Sequence, residues 1–298
     1  MSAAHFAQML ALAAIWGASF MFMRIAVPQL GPAWLLELRL LSACIVLLLV
    51  SLALRRALHV TRHWRHYLFL GLFNTALPFL AFAWAAQTLP ASLLAVLNST
   101  APLWGLVIGV LWRGKPVTRR AVTGLLTGMA GVACLVGFSE LALRPGNLLA
   151  VLATLGAAVC YALASSYAEY ADKVETYANA HGSLWAAFLL LLPLLALSPA
   201  PASWPPGAVA SGLVLGLLCT GVAYVMYFRL IDNLGAPSAL SVGYLIPLWG
   251  VFWGWLFLDE TIGWNTLLGA ALVLTGTMLV TGFRLRQLFS RRTTTPAA

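Results

Sequence analysis

The chain has 298 residues, of which 62% are hydrophobic and only 8% are charged, and its formal net charge is +9. A soluble domain carries about 25% charged residues, so this composition excludes an ordinary soluble protein. The apolar residues come in runs of about twenty, the length of a helix that crosses a bilayer. Because a backbone in lipid must satisfy its hydrogen bonds internally, these runs are expected to be helices.

Ten apolar runs follow one another along the chain and predict an all-α polytopic membrane protein with ten transmembrane helices. The predicted spans are about 6–27, 33–54, 66–88, 91–112, 119–139, 146–168, 176–198, 207–229, 236–258 and 264–283. The first run lacks a basic leader, so we expect it to be retained as a span rather than removed as a signal. Residues 284–298 are basic and then rich in Thr, Pro and Ala, which predicts a cytoplasmic tail.

The chain nearly repeats itself after a shift of 145 residues. The segment Pro102-Leu103-Trp104-Gly105 returns as Pro247-Leu248-Trp249-Gly250. Further identical pairs are Gly71 and Gly216, Thr75 and Thr220, Ala91 and Ala236, Gly124 and Gly269, and Gly131 and Gly276. A long-period repeat indicates two copies of one structural unit, here residues 1–140 and 141–283. Each copy has five spans, so the second copy enters the membrane in the opposite direction, and two inverted five-helix repeats are predicted.

Positive charge is concentrated on one side of the ten-span path. The basic residues on that side are Arg55, Arg56, Arg62, Arg65, Arg113, Lys115, Arg119, Arg120, Lys173, Arg229, Arg284, Arg286, Arg291 and Arg292. The opposite loops carry only Arg144. Cytoplasmic loops have an excess of Lys and Arg, so both termini are predicted to be cytoplasmic, in a bacterial inner membrane. The basic charge thus indicates orientation in the lipid bilayer, and no nucleic-acid partner is expected.

The cysteines indicate neither a metal site nor a disulfide framework. All four lie inside predicted spans, at Cys44, Cys134, Cys160 and Cys219. Their spacing does not match zinc ligation, and small packing residues are the simpler interpretation. No metal and no cofactor are therefore expected.

Two prolines fall near the middle of predicted helices at matching positions of the repeats, Pro102 in span four and Pro247 in span nine. A proline inside a helix cannot donate to the carbonyl four residues back, so Asn98 and Gly243 are expected to keep free carbonyl groups. In a membrane such groups need a partner or a water-filled cavity. Paired interruptions of this kind indicate a transporter binding site. The alternative is that the prolines only shape helix packing.

Other polar or aromatic side chains on nearby spans complete the set of cavity candidates. Beside the two prolines, these are Trp16, Asn74, Asn98, Thr100, Tyr161, Ser165, Tyr224, Ser241 and Tyr244. Polar side chains on membrane helices often only bond a neighbouring helix, at about 0.6 kcal/mol on average. Each residue alone is therefore consistent with packing, whereas the set predicts a partly polar path with aromatic walls.

Four ionisable residues within the spans are candidates for gating or for coupling to protons: Arg24, Glu37, Arg39 and His181. The hairpin between spans one and two brings the first three to similar depth, where Glu37 could pair with Arg24. The alternative for these three is a structural ion pair with side chains that reach the interface. Histidine titrates near neutral pH, and the alternative for His181 is a satisfied residue within the helix packing.

In both copies a helix of small residues leads to a mid-helix proline, and in the second copy a glycine-rich helix follows the acidic turn Asp259-Glu260. This pattern resembles the repeat of the EamA group in the drug/metabolite transporter superfamily. The segments 15–20 (IWGASF) and 38–40 (LRL) also resemble that family's first two spans. Lys115 departs from the family's Glu, which we interpret as an effect of the opposite orientation. The resemblance covers about residues 6–283 and implies a central cavity lined by spans one, three, four, six, eight and nine.

Together these features predict a secondary transporter of small organic solutes that works by alternating access. The resemblance implies export of amino acids, their analogues or other metabolites. The sequence has no P-loop motif for ATP, so the expected alternatives are transport driven by a proton or solute gradient and passive transport. The alternatives are a channel, a lipid-handling membrane protein, or an integral-membrane enzyme, for which the spans offer no catalytic motif. The chain is expected to act as a monomer or a homodimer.

Overall fold

The computed structural model describes residues 3–55, 57–114, 116–138, 144, 146–234 and 241–282. This part of the chain is helical and contains no strand. Its spans are α1 (Ala3–Leu30), α2 (Pro32–Leu54), α3 (Val60–Ala85), α4 (Ala91–Asn98 and Ala101–Arg113), α5 (Arg119–Gly137), α6 (Asn147–Tyr170), α7 (Thr176–Leu197), α8 (Pro206–Gly216, Leu217–Val222 and Ala223–Leu234), α9 (Ser241–Tyr244 and Ile246–Leu258) and α10 (Trp264–Thr281). The predicted start of span nine at 236–240, Lys115 and the tail 284–298 lie outside the described residues.

The outside of the helix bundle is apolar. Nine of the described helices are long and apolar enough to cross a membrane, and Val242–Leu258 is a shorter apolar helix. Large side chains such as Leu52, Leu111 and Leu197 point outward and are well exposed. An apolar exterior of this extent suits contact with lipid chains rather than with water. The prediction of an all-α polytopic membrane protein is therefore confirmed.

The two halves pack against each other in mirrored pairs of helices. Helix α1 packs against α8 and α9, and its counterpart α6 packs against α3 and α4. Likewise α2 packs against α8, while its counterpart α7 packs against α3. The pairs α2 with α7, α4 with α9 and α5 with α10 each join equivalent helices. This reciprocal pattern is that of two inverted five-helix repeats, as the sequence predicts.

Helices α5 and α10 touch through their backbones. A Cβ atom at Gly124 would lie 2.8 Å from the carbonyl oxygen of Gly276, and one at Gly131 would lie 2.9 Å from that of Gly269. Real Cβ atoms essentially never come this close, so only glycine allows this approach. Small residues at such spacing let membrane helices pack closely. The contact joins the two repeats within one chain.

Helices α4 and α9 are interrupted at matching positions. The first half of α4 ends at Asn98, and Pro102 lies in the first turn of the second half. In α9, Pro247 lies in the first turn of the main helix, after the 3-10 turn Ser241–Tyr244. Proline fits the start of a helix because its missing N–H group would have no partner there. The prolines therefore mark breaks in these helices rather than kinks.

Helices α3 and α8 each contain one wide turn with π-helical hydrogen bonding, at Gly71–Ala76 and at Leu217–Val222. The two turns fall within one residue of each other under the shift of 145 residues. Single π-helical turns are rare and frequently occur at functional sites. No sequence pattern predicts these turns, although Gly71 and Thr75 are identical to their counterparts in the other repeat.

The wide turns lie where helices of opposite repeats cross, at the α2–α8 crossing and at the α3–α7 crossing. A Cβ atom at Gly216 in α8 would overlap the carbonyl oxygen of Arg39 in α2. A Cβ atom at Gly71 in α3 would lie 2.9 Å from the carbonyl oxygen of Ser183 in α7. Arg39 and Ser183 thus occupy equivalent places in two copies of one helix contact.

Candidate substrate cavity

The helix breaks border a cavity of ≈ 440 Å³. Its walls come from α1, α3, α4, α6, α8 and α9, the six spans that the family resemblance implies, and also from α2 and α10. Small-molecule sites have volumes of about 300–1,000 Å³. The cavity therefore has room for a small organic molecule between the two repeats.

Seven of the eleven residues predicted for a cavity line this one: Trp16, Asn74, Asn98, Pro102, Tyr161, Tyr224 and Tyr244. The backbone of Gly243 lines it as well, so the residue expected to carry a free carbonyl group lies at the cavity wall. Because Asn98 and Gly243 come from equivalent positions, each repeat contributes its break to the same cavity.

The other predicted cavity residues lie elsewhere. Thr100 is buried, and its hydroxyl donates to the carbonyl oxygen of Leu97 at 2.7 Å. Pro247 is buried behind the lining, and Ser165 is exposed on α6. The side chain of Ser241 lies outside the described part of the structure. Helical spacing alone did not separate these positions from the lining ones, because the rotation of each helix depends on its neighbours.

Several lining residues were not among the predicted cavity residues: Phe20, Met23, Phe79, Phe82, Thr220 and Thr281. Most are apolar, so nothing in the sequence distinguished them from packing residues. Thr220 did carry a signal, since it is identical to Thr75 in the other repeat.

Aromatic rings form much of the cavity wall. The rings of Trp16 and Tyr224 lie edge to face with centroids 6.5 Å apart, and those of Phe82 and Tyr161 stack at 6.3 Å. Phe20 packs against Phe82 at 5.5 Å. Edge-to-face and offset-stacked pairs are the arrangements that aromatic rings prefer, and they give the cavity largely apolar walls.

Arg39 brings a buried positive charge to the cavity. Its side chain is 5% exposed, and its Nε donates to Thr220 Oγ1 at 3.0 Å. The guanidinium carbon lies 3.9 Å from the centroid of the Phe79 ring, and Nη1 lies 3.9 Å from Met23 Sδ. Arg39 is a gating or coupling candidate from its sequence position, and the structure places it in the wall of the cavity itself.

The possible ion pair between Arg24 and Glu37 is not formed. Arg24 Nη1 instead donates to the carbonyl oxygens of Ala86 at 2.8 Å and of Gln87 at 2.7 Å, at the end of α3. Glu37 is buried, and neither carboxylate oxygen has a hydrogen-bond partner among the described residues. The carbonyl groups at the end of a helix attract a cation, which explains the course of the Arg24 side chain.

His181 is fully buried in α7 and does not line the cavity. Its Nε2 accepts a hydrogen bond from Trp185 Nε1 at 3.0 Å, one turn further along the same helix. The ring of Tyr177 packs nearby, with centroids 5.9 Å apart. Its Nδ1 is buried and has no hydrogen-bond partner among the described residues, so the ring is only partly satisfied within the helix packing.

Glu260 has a role that the sequence did not reveal. Its two carboxylate oxygens accept hydrogen bonds from the backbone N–H groups of Ala91 at 2.6 Å and Ser92 at 3.0 Å. A carboxylate at a helix N-terminus is favoured both by these donors and by the helix dipole. Arg24 and Glu260 therefore hold the two sides of the turn between α3 and α4. Both also line a wider vestibule of ≈ 810 Å³ at this end of the bundle.

Comparison with known proteins identifies relatives over nearly the whole chain. The model of the EamA-like transporter family matches residues 6–137 and 147–282. The chain is 26% identical to the "Uncharacterized transporter YoaV" of Bacillus subtilis (strain 168), over 90% of this chain and 93% of that protein. It is 27% identical to the "Probable terminal-alkyne amino-acid exporter" of Streptantibioticus cattleyicolor, over 66% of each chain.

A protein of known crystal structure has the same fold. It superposes with a TM-score of 0.63 at 20% sequence identity, and the match covers 94% of this chain and 97% of that one. At this identity the likeness shows the fold alone.

Proposed function

The chain belongs to the EamA-like transporter family, and from that premise we propose that it is a secondary transporter that exports small organic metabolites, such as amino acids or related compounds. The observation that carries this proposal is the cavity between the breaks of α4 and α9, one from each inverted repeat. Such repeats can rock against each other, so that a site between them opens to each side in turn. The relative named as a probable amino-acid exporter supports both the substrate class and the direction.

The proposed orientation places both termini in the cytoplasm of a bacterial inner membrane. The support is the charge of the loops, since Arg62, Arg65, Arg119 and Lys173 all lie at one end of the bundle. The end that carries Glu260 then faces outward. In this arrangement residues 1–140 and 141–283 are the two repeats and residues 284–298 form a cytoplasmic tail. The chain is proposed to act as a monomer or a homodimer.

Energy for export is proposed to come from a proton gradient through Glu37. A carboxyl group in a membrane interior is costly when charged and unpaired, and such groups commonly mark proton pathways. Glu37 is buried and lacks a partner among the described residues. Arg24 of α1, which contacts the turn between α3 and α4 beside the vestibule, is the proposed gating residue, because movement of that turn would break its hydrogen bonds to the carbonyl groups of Ala86 and Gln87.

Flux into proteoliposomes tests the transport proposal. A metabolite comparison of cells with and without the protein first supplies candidate solutes, which are then offered to inverted vesicles under a pH gradient. We expect saturable flux, and we expect Asn98→Ala to raise the KM several-fold because Asn98 lines the cavity at its break. Ser165→Ala is the matched control, since Ser165 lies on α6 but outside the cavity.

The outcomes separate the competing functions. Flux that rises linearly with solute and never saturates would indicate a channel instead. Absence of protein-dependent flux across a broad metabolite panel would contradict the proposal, as would equal effects of the Asn98 and Ser165 substitutions.

A further inference from the structure

We propose that Arg39 forms an anion subsite in the cavity and binds a carboxylate group of the transported molecule. This inference rests on the proposed function and makes its substrate class more specific. The substrates are organic acids or amino acids in which a carboxylate is attached to an apolar or aromatic body.

The contacts of Arg39 leave its charge without a negative partner. Within the described residues, its side-chain hydrogen-bond partners are Thr220 and Met23, both neutral, and the face of Phe79 lies against it. A guanidinium group has five N–H donors, and these contacts occupy only part of them. The remaining donors are available to a ligand in the cavity.

No carboxylate in the described lining of the cavity neutralises this charge. Of the residues described there, Arg39 is the one with a formal charge. Glu37 lies two residues earlier on α2, and residues at that spacing do not share a helix face. An unpaired charge in a membrane interior is costly, and an anionic ligand would supply the missing partner.

Helix packing does not require a cation at this place. The equivalent contact at the α3–α7 crossing is made with Ser183, whose hydroxyl donates to the carbonyl oxygen of Ala180 in its own helix. Ser183 is as buried as Arg39. Since the same crossing forms without an arginine, the position of Arg39 is better explained by the cavity than by the fold.

Two helix N-termini at the breaks contribute partial positive charge to the cavity, beside the free carbonyl groups expected at Asn98 and Gly243. The second half of α4 and the main helix of α9 both begin at the cavity, where Ala101, Pro102 and Ile246 are lining residues. The N-terminus of a helix carries a partial positive charge and favours anions. Two helix N-termini and one guanidinium group therefore contribute positive charge to the same cavity.

The remaining walls define the rest of the ligand. Phe79, Phe82 and Tyr161 present apolar ring surfaces to the cavity. An apolar body fits against these rings, while the planar guanidinium can bind a carboxylate through two parallel hydrogen bonds. A ligand with only positive charge would find no acidic group in the described lining.

Counterflow in proteoliposomes tests the subsite with matched pairs of acids and neutral amides. The probes are phenylacetate with phenylacetamide, hexanoate with hexanamide, and each acid found by the metabolite comparison with its amide. We expect acids to compete for transport at least about tenfold better than their amides, because a hydrogen bond to a charged group contributes about 1.5–3 kcal/mol. Arg39→Gln should remove this preference, and Arg39→Lys should restore part of it, since lysine keeps the charge but loses the planar fork.

Ser183→Ala serves as the matched control at the equivalent position and should keep the wild-type preference. Size-exclusion profiles and thermal unfolding in detergent establish that each variant folds. Saturable transport of neutral or cationic solutes with no competition by acids would overturn the subsite and leave the transport proposal standing. An unchanged acid preference in folded Arg39→Gln would also overturn it. Absence of saturable flux for every solute would contradict the transport proposal itself.

Discussion

The α2–α8 and α3–α7 crossings are two copies of one helix contact with different chemistry. At the α2–α8 crossing Gly216 lies against Arg39, and at the α3–α7 crossing Gly71 lies against Ser183. Each glycine is at the start of a wide turn or directly before it and allows the backbone of the neighbouring helix to approach. The backbone arrangement is therefore shared between the repeats. Glycine is needed at both places because a side chain would meet the facing carbonyl oxygen.

The side chains at the two crossings differ in how they are satisfied. Thr220 accepts a hydrogen bond from Arg39 and donates to the carbonyl oxygen of Leu215. The equivalent hydroxyl of Thr75 is fully buried and has no partner among the described residues. The packing at the crossings is therefore shared by the two repeats, whereas the chemistry of the cavity is specific to one of them.

Substitution of the two glycines should produce the largest effects and test whether the crossings are equivalent. A Cβ atom at Gly216 would overlap Ser42 Oγ, and one at Gly71 would lie 2.8 Å from Ala186 Cβ. Overpacking typically costs about 1–3 kcal/mol of stability. We therefore expect the free energy of unfolding to fall by about 3 kcal/mol for Gly216→Ala and by about 2 kcal/mol for Gly71→Ala. Thermal unfolding in detergent measures both. A wild-type stability for Gly71→Ala would show that the crossings are not equivalent.

A residue of the acidic turn Asp259-Glu260 can be replaced by the residue type at the matching position of the first repeat. Glu260→Lys places in the second repeat the residue type that the first has at Lys115. This substitution removes two hydrogen bonds to the start of α4 and puts a cation at a helix N-terminus. We therefore expect the free energy of unfolding to fall by about 2 kcal/mol. The exposed neighbour Thr261→Lys adds the same charge without removing these bonds and should change stability little. Similar unfolding temperatures for both variants would contradict the assigned role of Glu260.

Removal of the two threonine hydroxyl groups should have the smallest effects and should distinguish the crossings most clearly. Thr220→Val leaves a buried guanidinium donor without its partner, which is expected to cost about 1–2 kcal/mol and to weaken acid binding. Thr75→Val removes a hydroxyl that has no described partner, so stability should be unchanged or slightly higher. Unfolding and acid competition measure both variants. Equal losses of stability and of acid binding for the two variants would contradict the proposed difference between the crossings.

The sequence predicted the features that depend on local chemistry. Apolar runs predicted the spans because only helices satisfy the backbone in lipid. Pro102 and Pro247 predicted the helix breaks, since proline lacks the N–H group that a helix interior needs. The repeat then placed both breaks at equivalent positions, and this was enough to predict a cavity between them.

Features that depend on distant partners could not be predicted in the same way. Glu260 binds N–H groups that lie 168 and 169 residues away, which no local pattern reveals. Arg24 and Glu37 have a suitable depth for an ion pair, but Arg24 reaches the end of α3 instead. The wide turns arise at crossings with other helices, so the identical glycines could mark their place but not their geometry.

Transport through the cavity between the breaks is tested by measuring saturable flux before and after thiol labelling at two engineered positions. The background replaces the four native cysteines, and single cysteines are introduced as Asn98→Cys or Ser165→Cys. If the cavity between the breaks is the substrate site, labelling at position 98 abolishes flux and labelling at position 165 leaves it unchanged. Flux that survives complete labelling at position 98 would contradict a transport path through this cavity.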